Sequence, residues 1–186
     1  MSTLITTTAQ IGTIKDAGGN ATAMTLDSGG RVTMPARPAF ACHLESTVAL
    51  DGNNGWGATS GSSSLSSGAW DWNITHGGYN VGGHWSDTNN RFTAPIAGLY
   101  SFTFSIVMAG AGNNVTFRLQ NSDGHSRYAG ANFVGGTNST SSNTTAQFLL
   151  DASDYVDLQV GYAKTNSVEG DSGGFGRTWW SGYFIG

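Results

Sequence analysis

Charged side chains and cysteines are scarce in this chain of 186 residues. Asp, Glu, Lys and Arg together make up 11% of the sequence, and the net charge is -4 with 8 Lys and Arg in total. Binding to a nucleic-acid backbone needs clustered positive charge, so the composition argues against a nucleic-acid partner. Cys42 is the only cysteine, which excludes an intrachain disulfide and a thiolate metal cage within one chain.

Long apolar runs and helical periodicity are also missing. No run approaches the length of a membrane-spanning helix, and residues 1–8 have neither the basic start nor the apolar core of a secretory signal. We therefore expect that the protein does not insert into a membrane and that it assembles in a cytosol. The 28 glycines, together with Ser, Thr and Asn, separate short apolar runs. This composition is typical of an all-β protein with a neutral, polar surface.

Motifs for catalysis or metal binding are lacking as well. The sequence has no G-x-S-x-G nucleophile elbow and no phosphate-binding loop. Asp151, Asp154 and Asp157 lack the pattern of a calcium-binding EF-hand. Four histidines have no partner at a metal-ligand spacing: His43, His76, His84 and His125. We predict no enzyme activity, metal or cofactor, although a glycosidase carboxylate pair needs no sequence signature.

The most informative segment that is present runs from Arg91 to Phe104 and continues to Met108. Its even-numbered residues from Tyr100 onward are apolar and alternate with Ser and Thr, which is the period of a strand with one buried face. Pro95 and Gly98 mark the corner before this strand. The segment therefore predicts a long amphipathic strand that enters from a turn.

The run F-T-A-P-I-A-G-L-Y-x-F-T-F in this segment resembles the signature of the complement C1q and tumour-necrosis-factor-like jelly-roll superfamily. Residues 146–160 resemble the strand, acidic turn and strand of that superfamily, residues 178–186 resemble its closing strand, and residues 73–85 stand where it has a short strand. The resemblance covers about residues 37–186. It implies a jelly-roll β-sandwich that forms trimers used for binding rather than chemistry. Because some members of the superfamily bind calcium, the resemblance also leaves a cation at the top of the trimer as an alternative.

Residues 1–36 differ from the remainder because they are rich in threonine and contain no aromatic residue. Asp followed by two glycines recurs at Asp16 and Asp27, and this is turn chemistry. We predict short strands near residues 10–15, 21–26 and 31–34. Such small strands cannot bury enough surface alone, so we expect residues 1–36 to be an attachment segment that docks other chains, and residues 37–186 to be the head.

Tryptophans are the candidate binding residues. Four of them lie among Gly, Asn, Ser and Asp, where an aromatic face with neighbouring hydroxyls suits a sugar ring: Trp56, Trp70, Trp72 and Trp85. The alternative is that these rings pack a β core or a subunit interface. The final strand is apolar on both faces, and the resemblance places it near the trimer axis, so its aromatic residues are candidate interface residues: Trp179, Trp180, Tyr183 and Phe184.

The form T-x-D-S-G-G-R-V-T-M-P-x-x-P-A-F before the head resembles segments of bacteriophage structural proteins. The sequence therefore indicates a homotrimeric virion protein, such as a tail fibre, spike or capsid fibre, whose head adheres to a host or glycan or decorates the particle. A soluble lectin-like or immune-type recognition head from a cellular organism is the competing class. A carbohydrate-active enzyme is a third.

Overall fold

The protein is described here from a computed structural model. The structure describes residues 13–15, 22–26, 28–34, 37–50, 56–58, 70–109, 115–131, 140–161, 166–171, 173 and 176–186. The regular elements within these ranges are all β-strands. The described residues therefore include no helix that is long and apolar enough to cross a membrane. The chain divides into two compact units, Met1–Arg37 and Pro38–Gly186.

The first unit contains a small antiparallel sheet of three strands, which we call the N-terminal sheet. Its strands are β1 (Thr13–Lys15), β2 (Thr22–Leu26) and β3 (Val32–Thr33), in that order across the sheet. They fall within the three ranges predicted from sequence, and residues 1–12 lie outside the described residues. Gly30, in the turn before β3, has φ +76°, a conformation that favours glycine.

The second unit contains two larger antiparallel sheets. Sheet I has eight strands: β4 (Ala39–Leu44), β5 (Val48–Leu50), β7 (Trp72–Asn73), β8 (Tyr79–Val81), β11 (Gly98–Ala109), β14 (Thr140–Leu150), β16 (Asn166–Val168) and β17 (Trp179–Phe184). Sheet II has six strands: β6 (Trp56–Ala58), β9 (Trp85–Ser86), β10 (Arg91–Thr93), β12 (Val115–Asn121), β13 (Ser126–Ala131) and β15 (Tyr155–Gly161). The predicted all-β sandwich is confirmed.

The predicted amphipathic strand is the centre of sheet I. It is β11, which pairs with β14 on one side and β17 on the other. The Gly-, Ser-, Thr- and Asn-rich composition of residues 135–145 predicts a loop, and this prediction is wrong for residues 140–145, which are the first part of β14. Cross-strand pairing explains this difference, because Thr145 stands opposite Thr103 and their hydroxyls are 2.8 Å apart. Threonine suits such pairs.

The core between the sheets is an aromatic cluster centred on Phe40 of β4. The Phe40 ring stacks on Trp85 at 5.0 Å and on Phe92 at 5.3 Å, both from sheet II. Within sheet I, Trp180 meets Phe40 edge to face at 4.7 Å. Gly182 makes room for these rings, because a Cβ there would lie 2.4 Å from the Phe102 ring and 2.8 Å from that of Phe40.

Candidate functional site

Three of the four tryptophans predicted to bind a ligand lie in the core. Trp70, Trp72 and Trp85 are 3%, 2% and 5% exposed. Trp70 and Trp72 stack with their ring centres 6.3 Å apart, and Trp85 meets Trp180 edge to face at 4.9 Å. The alternative of core packing therefore describes these three rings, and ligand binding does not. Trp56 is in β6, but its side chain is outside the described residues, so its role stays a prediction.

The closing strand β17 places its candidate interface residues on opposite faces. Trp180 is fully buried in the core, and Phe184 packs against that core with its ring 5.1 Å from Tyr100. These two therefore face inward. Trp179 and Tyr183 face the other way, and Tyr183 is 52% exposed. The candidate interface is thus carried by the odd-numbered residues of β17.

The outward face of sheet I is uncharged over five described strands. Strand alternation and the register of β8, β4, β17, β11 and β14 place the following residues on it: Tyr79, Val81, Ala39, Ala41, His43, Trp179, Ser181, Tyr183, Leu99, Ser101, Thr103, Ser105, Val107, Ser141, Asn143, Thr145, Gln147 and Leu149. Asp, Glu, Lys and Arg are absent from this set. Tyr79 and Leu149 are 46% and 79% exposed. A sheet face of this composition is typical of a surface that another protein covers.

A depression of about 350 Å³ lies on this face and is lined by Ala41, Gly77, Tyr79, Trp179 and Ser181. It forms because small side chains on β4 and β17 lie between the rings of Tyr79 and Trp179. Its shape and apolar walls suit a large side chain from a neighbouring molecule, in the manner of a pocket that receives an interface anchor.

His43 lies at one end of the outward face, opposite Trp179. It is fully buried, and its ring centre is 5.9 Å from that of His76. Burial lowers the pKa of His43, and the nearby His76 lowers it further. The charges on Glu45, Asp171 and Asp71 act in the opposite direction. His43 is therefore neutral near pH 7, in keeping with the uncharged face.

The outward face of sheet II is polar and charged. Arg91 of β10 forms an ion pair with Asp157 of β15, with Nε 3.1 Å from Oδ1, and its guanidinium carbon lies 3.9 Å above the Tyr155 ring. Beside it, Arg118 Nε donates a hydrogen bond to Gln159 Oε1 at 2.9 Å. Burial raises the pKa of Asp157 to about 6, although the Arg91 charge opposes that rise. Sheet II thus differs from sheet I in having charged side chains on its outer face.

Asp154, one of the three aspartates weighed for calcium binding, accepts two hydrogen bonds from within the chain. Asp154 Oδ2 accepts a hydrogen bond from the backbone N–H of Asp151 at 2.9 Å, and its Oδ1 accepts one from the Ser122 hydroxyl at 2.8 Å. Within the described ranges, no group of three or more His, Cys, Asp or Glu side chains is arranged to hold a metal ion.

Cys42 is buried, and burial raises the pKa of its thiol.

Two antiparallel sheets packed around an aromatic core form a jelly roll of the C1q and tumour-necrosis-factor type. The C1q domain model matches residues 73–185, which is more than half of the chain, so the chain belongs to the C1q domain family. The structure is similar to the globular domain of zebrafish complement 1qA protein, with a TM-score of 0.53, 16% identity and coverage of 80% of this chain and 98% of that chain. It is also similar to murine APRIL at pH 5.0, with a TM-score of 0.54, 7% identity and coverage of 80% and 99%. These identities show the fold alone, and no curated protein matches the sequence.

A substitution of Trp85 separates the core role from the ligand role. If the ring is part of the core, Trp85→Ala lowers the free energy of unfolding by about 3–5 kcal/mol, measured by urea denaturation. Ile74→Ala, at a residue 39% exposed, is the control and has a small effect. Unchanged stability for Trp85→Ala would contradict the core assignment.

The buried Asp157 predicts a pH dependence of stability. Its pKa in the folded protein, about 6, exceeds the ordinary 3.8, so the folded state holds this proton more tightly than the unfolded state does. The resulting stability is complete below pH 3.8 and is lost as the pH rises to about 6. Asp157→Asn removes this contribution. We therefore expect the unfolding midpoint of the variant minus that of wild type to increase from pH 4 to pH 6. The exposed Asp87→Asn serves as the control, and parallel curves for wild type and Asp157→Asn would contradict the assignment.

Proposed function

We propose that residues 38–186 form the head of a homotrimer, with the outward face of sheet I as the interface between chains. The observation that carries this proposal is the uncharged face described above, which contains the half-exposed Tyr79 and Tyr183 and a depression lined in part by Tyr79 and Trp179. Domains of the C1q and tumour-necrosis-factor superfamily form homotrimers, which supports the proposal. Three copies that cover this face would remove the exposed aromatic surface of Tyr79 and Tyr183 from water.

We propose further that the protein is a bacteriophage virion component, with residues 1–36 attaching the trimer to other virion proteins. The resemblance of residues 25–40 to phage structural segments supports this assignment, as does the separate β unit that precedes the head. A C1q-type recognition head of a cellular organism agrees equally well with the family match, and it is the second candidate.

In this proposal the head binds or decorates and does not catalyse. C1q and tumour-necrosis-factor-like domains are generally recognition modules without enzyme activity. With sheet I covered by other chains, the surfaces left to a ligand are the outer face of sheet II and the loops. A low overall charge favours a neutral, polar ligand such as a cell-surface glycan, for which Trp56 is the remaining tryptophan candidate.

The trimer is tested by the molar mass of the protein in sedimentation equilibrium at micromolar concentration. We expect three times the 19.3 kDa mass of one chain. Tyr183→Glu places a charge in the proposed interface and should shift the protein towards monomers, because burying an unpaired charge is costly. Thr93→Glu places the same charge on the outer face of sheet II and should leave a trimer. A wild-type monomer, or a trimer unaffected by Tyr183→Glu, would contradict the proposed interface.

The virion role is tested by deleting residues 1–36 in the genome that encodes the protein. The deletion should leave a folded head that no longer appears in purified particles when these are analysed by quantitative mass spectrometry. The full chain, expressed at the same level, is the control. Absence of the full chain from particles would favour the cellular recognition head, and normal incorporation of the truncated chain would place attachment in the head.

A further inference from the structure

The N-terminal sheet brings five apolar residues together on one of its faces. Ile14 pairs with Met24 and Leu26 pairs with Val32 in the antiparallel register. Since paired residues share a face and residues two apart on a strand do too, Met34 extends the same face beyond β3. We call these five residues the N-terminal apolar face: Ile14, Met24, Leu26, Val32 and Met34.

The opposite face is polar. Thr25 of the central strand pairs with Thr13 on one side and Thr33 on the other. The register shifts between Ile14 and Lys15, where Lys15 stands opposite Thr22, so the alternation of faces on β1 holds only as far as Ile14. Over the regularly paired residues the sheet is therefore amphipathic, with apolar residues on one side and threonines on the other. This pattern predicts that one side is covered and that the other faces water.

The N-terminal apolar face is exposed in the single chain. Ile14, Leu26, Val32 and Met34 are 41%, 45%, 52% and 45% exposed. A three-stranded sheet depends on burial of one apolar face for its stability, and these strands are only two to five residues long. The sheet therefore needs a partner surface of matching apolar character.

We propose that the partner is the same face of the other two chains of the trimer, so that three N-terminal sheets pack their apolar sides together around one axis. This inference rests on the proposed homotrimer. The first unit ends at Arg37 and the second begins at Pro38, so a trimeric head holds three copies of the sheet on short tethers. Such tethering gives effective concentrations in the millimolar range, which favours association between copies over capture of a separate protein.

The chemistry of the face supports the same occupant. An apolar face without an ionisable side chain complements a copy of itself, whereas selective recognition of a different protein usually adds charged or hydrogen-bonding groups. The threonine side of each sheet then faces outward and remains for contact with a larger assembly. Residues 13–34 thus have a role within the trimer in addition to the proposed attachment.

The test is site-directed cross-linking of the full chain. Cys42 is buried, so a cysteine introduced in the N-terminal sheet is the thiol that reacts. Three variants carry it on the apolar face: Ile14→Cys, Leu26→Cys and Val32→Cys. Three matched controls carry it on the polar face of the same strands: Thr13→Cys, Thr25→Cys and Thr33→Cys. Each protein is treated with a short bismaleimide and analysed on denaturing gels, and its molar mass is measured separately.

We expect covalent dimers of at least one apolar-face variant at several times the yield of its threonine-face control, all within proteins that sediment as trimers. Trimers that give no cross-link from any apolar-face cysteine would overturn this inference and leave the trimeric head intact, which would mean that a different molecule covers the face. Equal yields from both faces would also overturn it. A monomeric wild-type protein would overturn the inference and the proposed trimer together.

Discussion

The aromatic packing across the sandwich is the interaction on which the rest of the head depends. Phe40 contacts sheet II through Trp85 and Phe92 and its own sheet through Trp180. Each of these side chains is at most 5% exposed. The rings occupy the inner faces of both sheets so fully that Gly182 is needed where β17 passes beneath them. Every even-numbered residue of β11 from Tyr100 to Met108 is consequently directed inward.

This packing gives the two outer faces their different characters. The outer face of sheet II carries charged residues that pair with each other, as Arg91 and Asp157 show. The outer face of sheet I has small and aromatic side chains without Asp, Glu, Lys or Arg over its described strands. Burying a charge is costly whereas burying Tyr183 or Leu149 is favourable. The difference between the faces supports a partner on sheet I and solvent on sheet II.

Sequence reasoning was most successful where the local pattern was periodic. The alternation in β11 was predicted because it depends on side chains close together in the chain. The turn at residues 151–154 between β14 and β15 was expected from the family resemblance of residues 146–160. The burial of Trp70 and Trp72 was one of two alternatives weighed from the sequence, because aromatic rings among Gly, Ser, Asn and Asp suit a binding loop as well as a β core. The Arg91–Asp157 pair joins residues 66 positions apart, a distance over which a single sequence gives no signal. Residues 140–145 form a strand because β11 pairs with them, although their own composition is typical of a loop.

The central claim is that other copies of the chain cover the outward face of sheet I. Carbene footprinting of the native protein, read by mass spectrometry residue by residue, tests it directly. The account predicts that Tyr79 and Tyr183 are protected despite being 46% and 52% exposed in one chain, while Ile96, which is 47% exposed in the turn before β11, is labelled. Labelling of all three residues in proportion to their exposure in the single chain would contradict it.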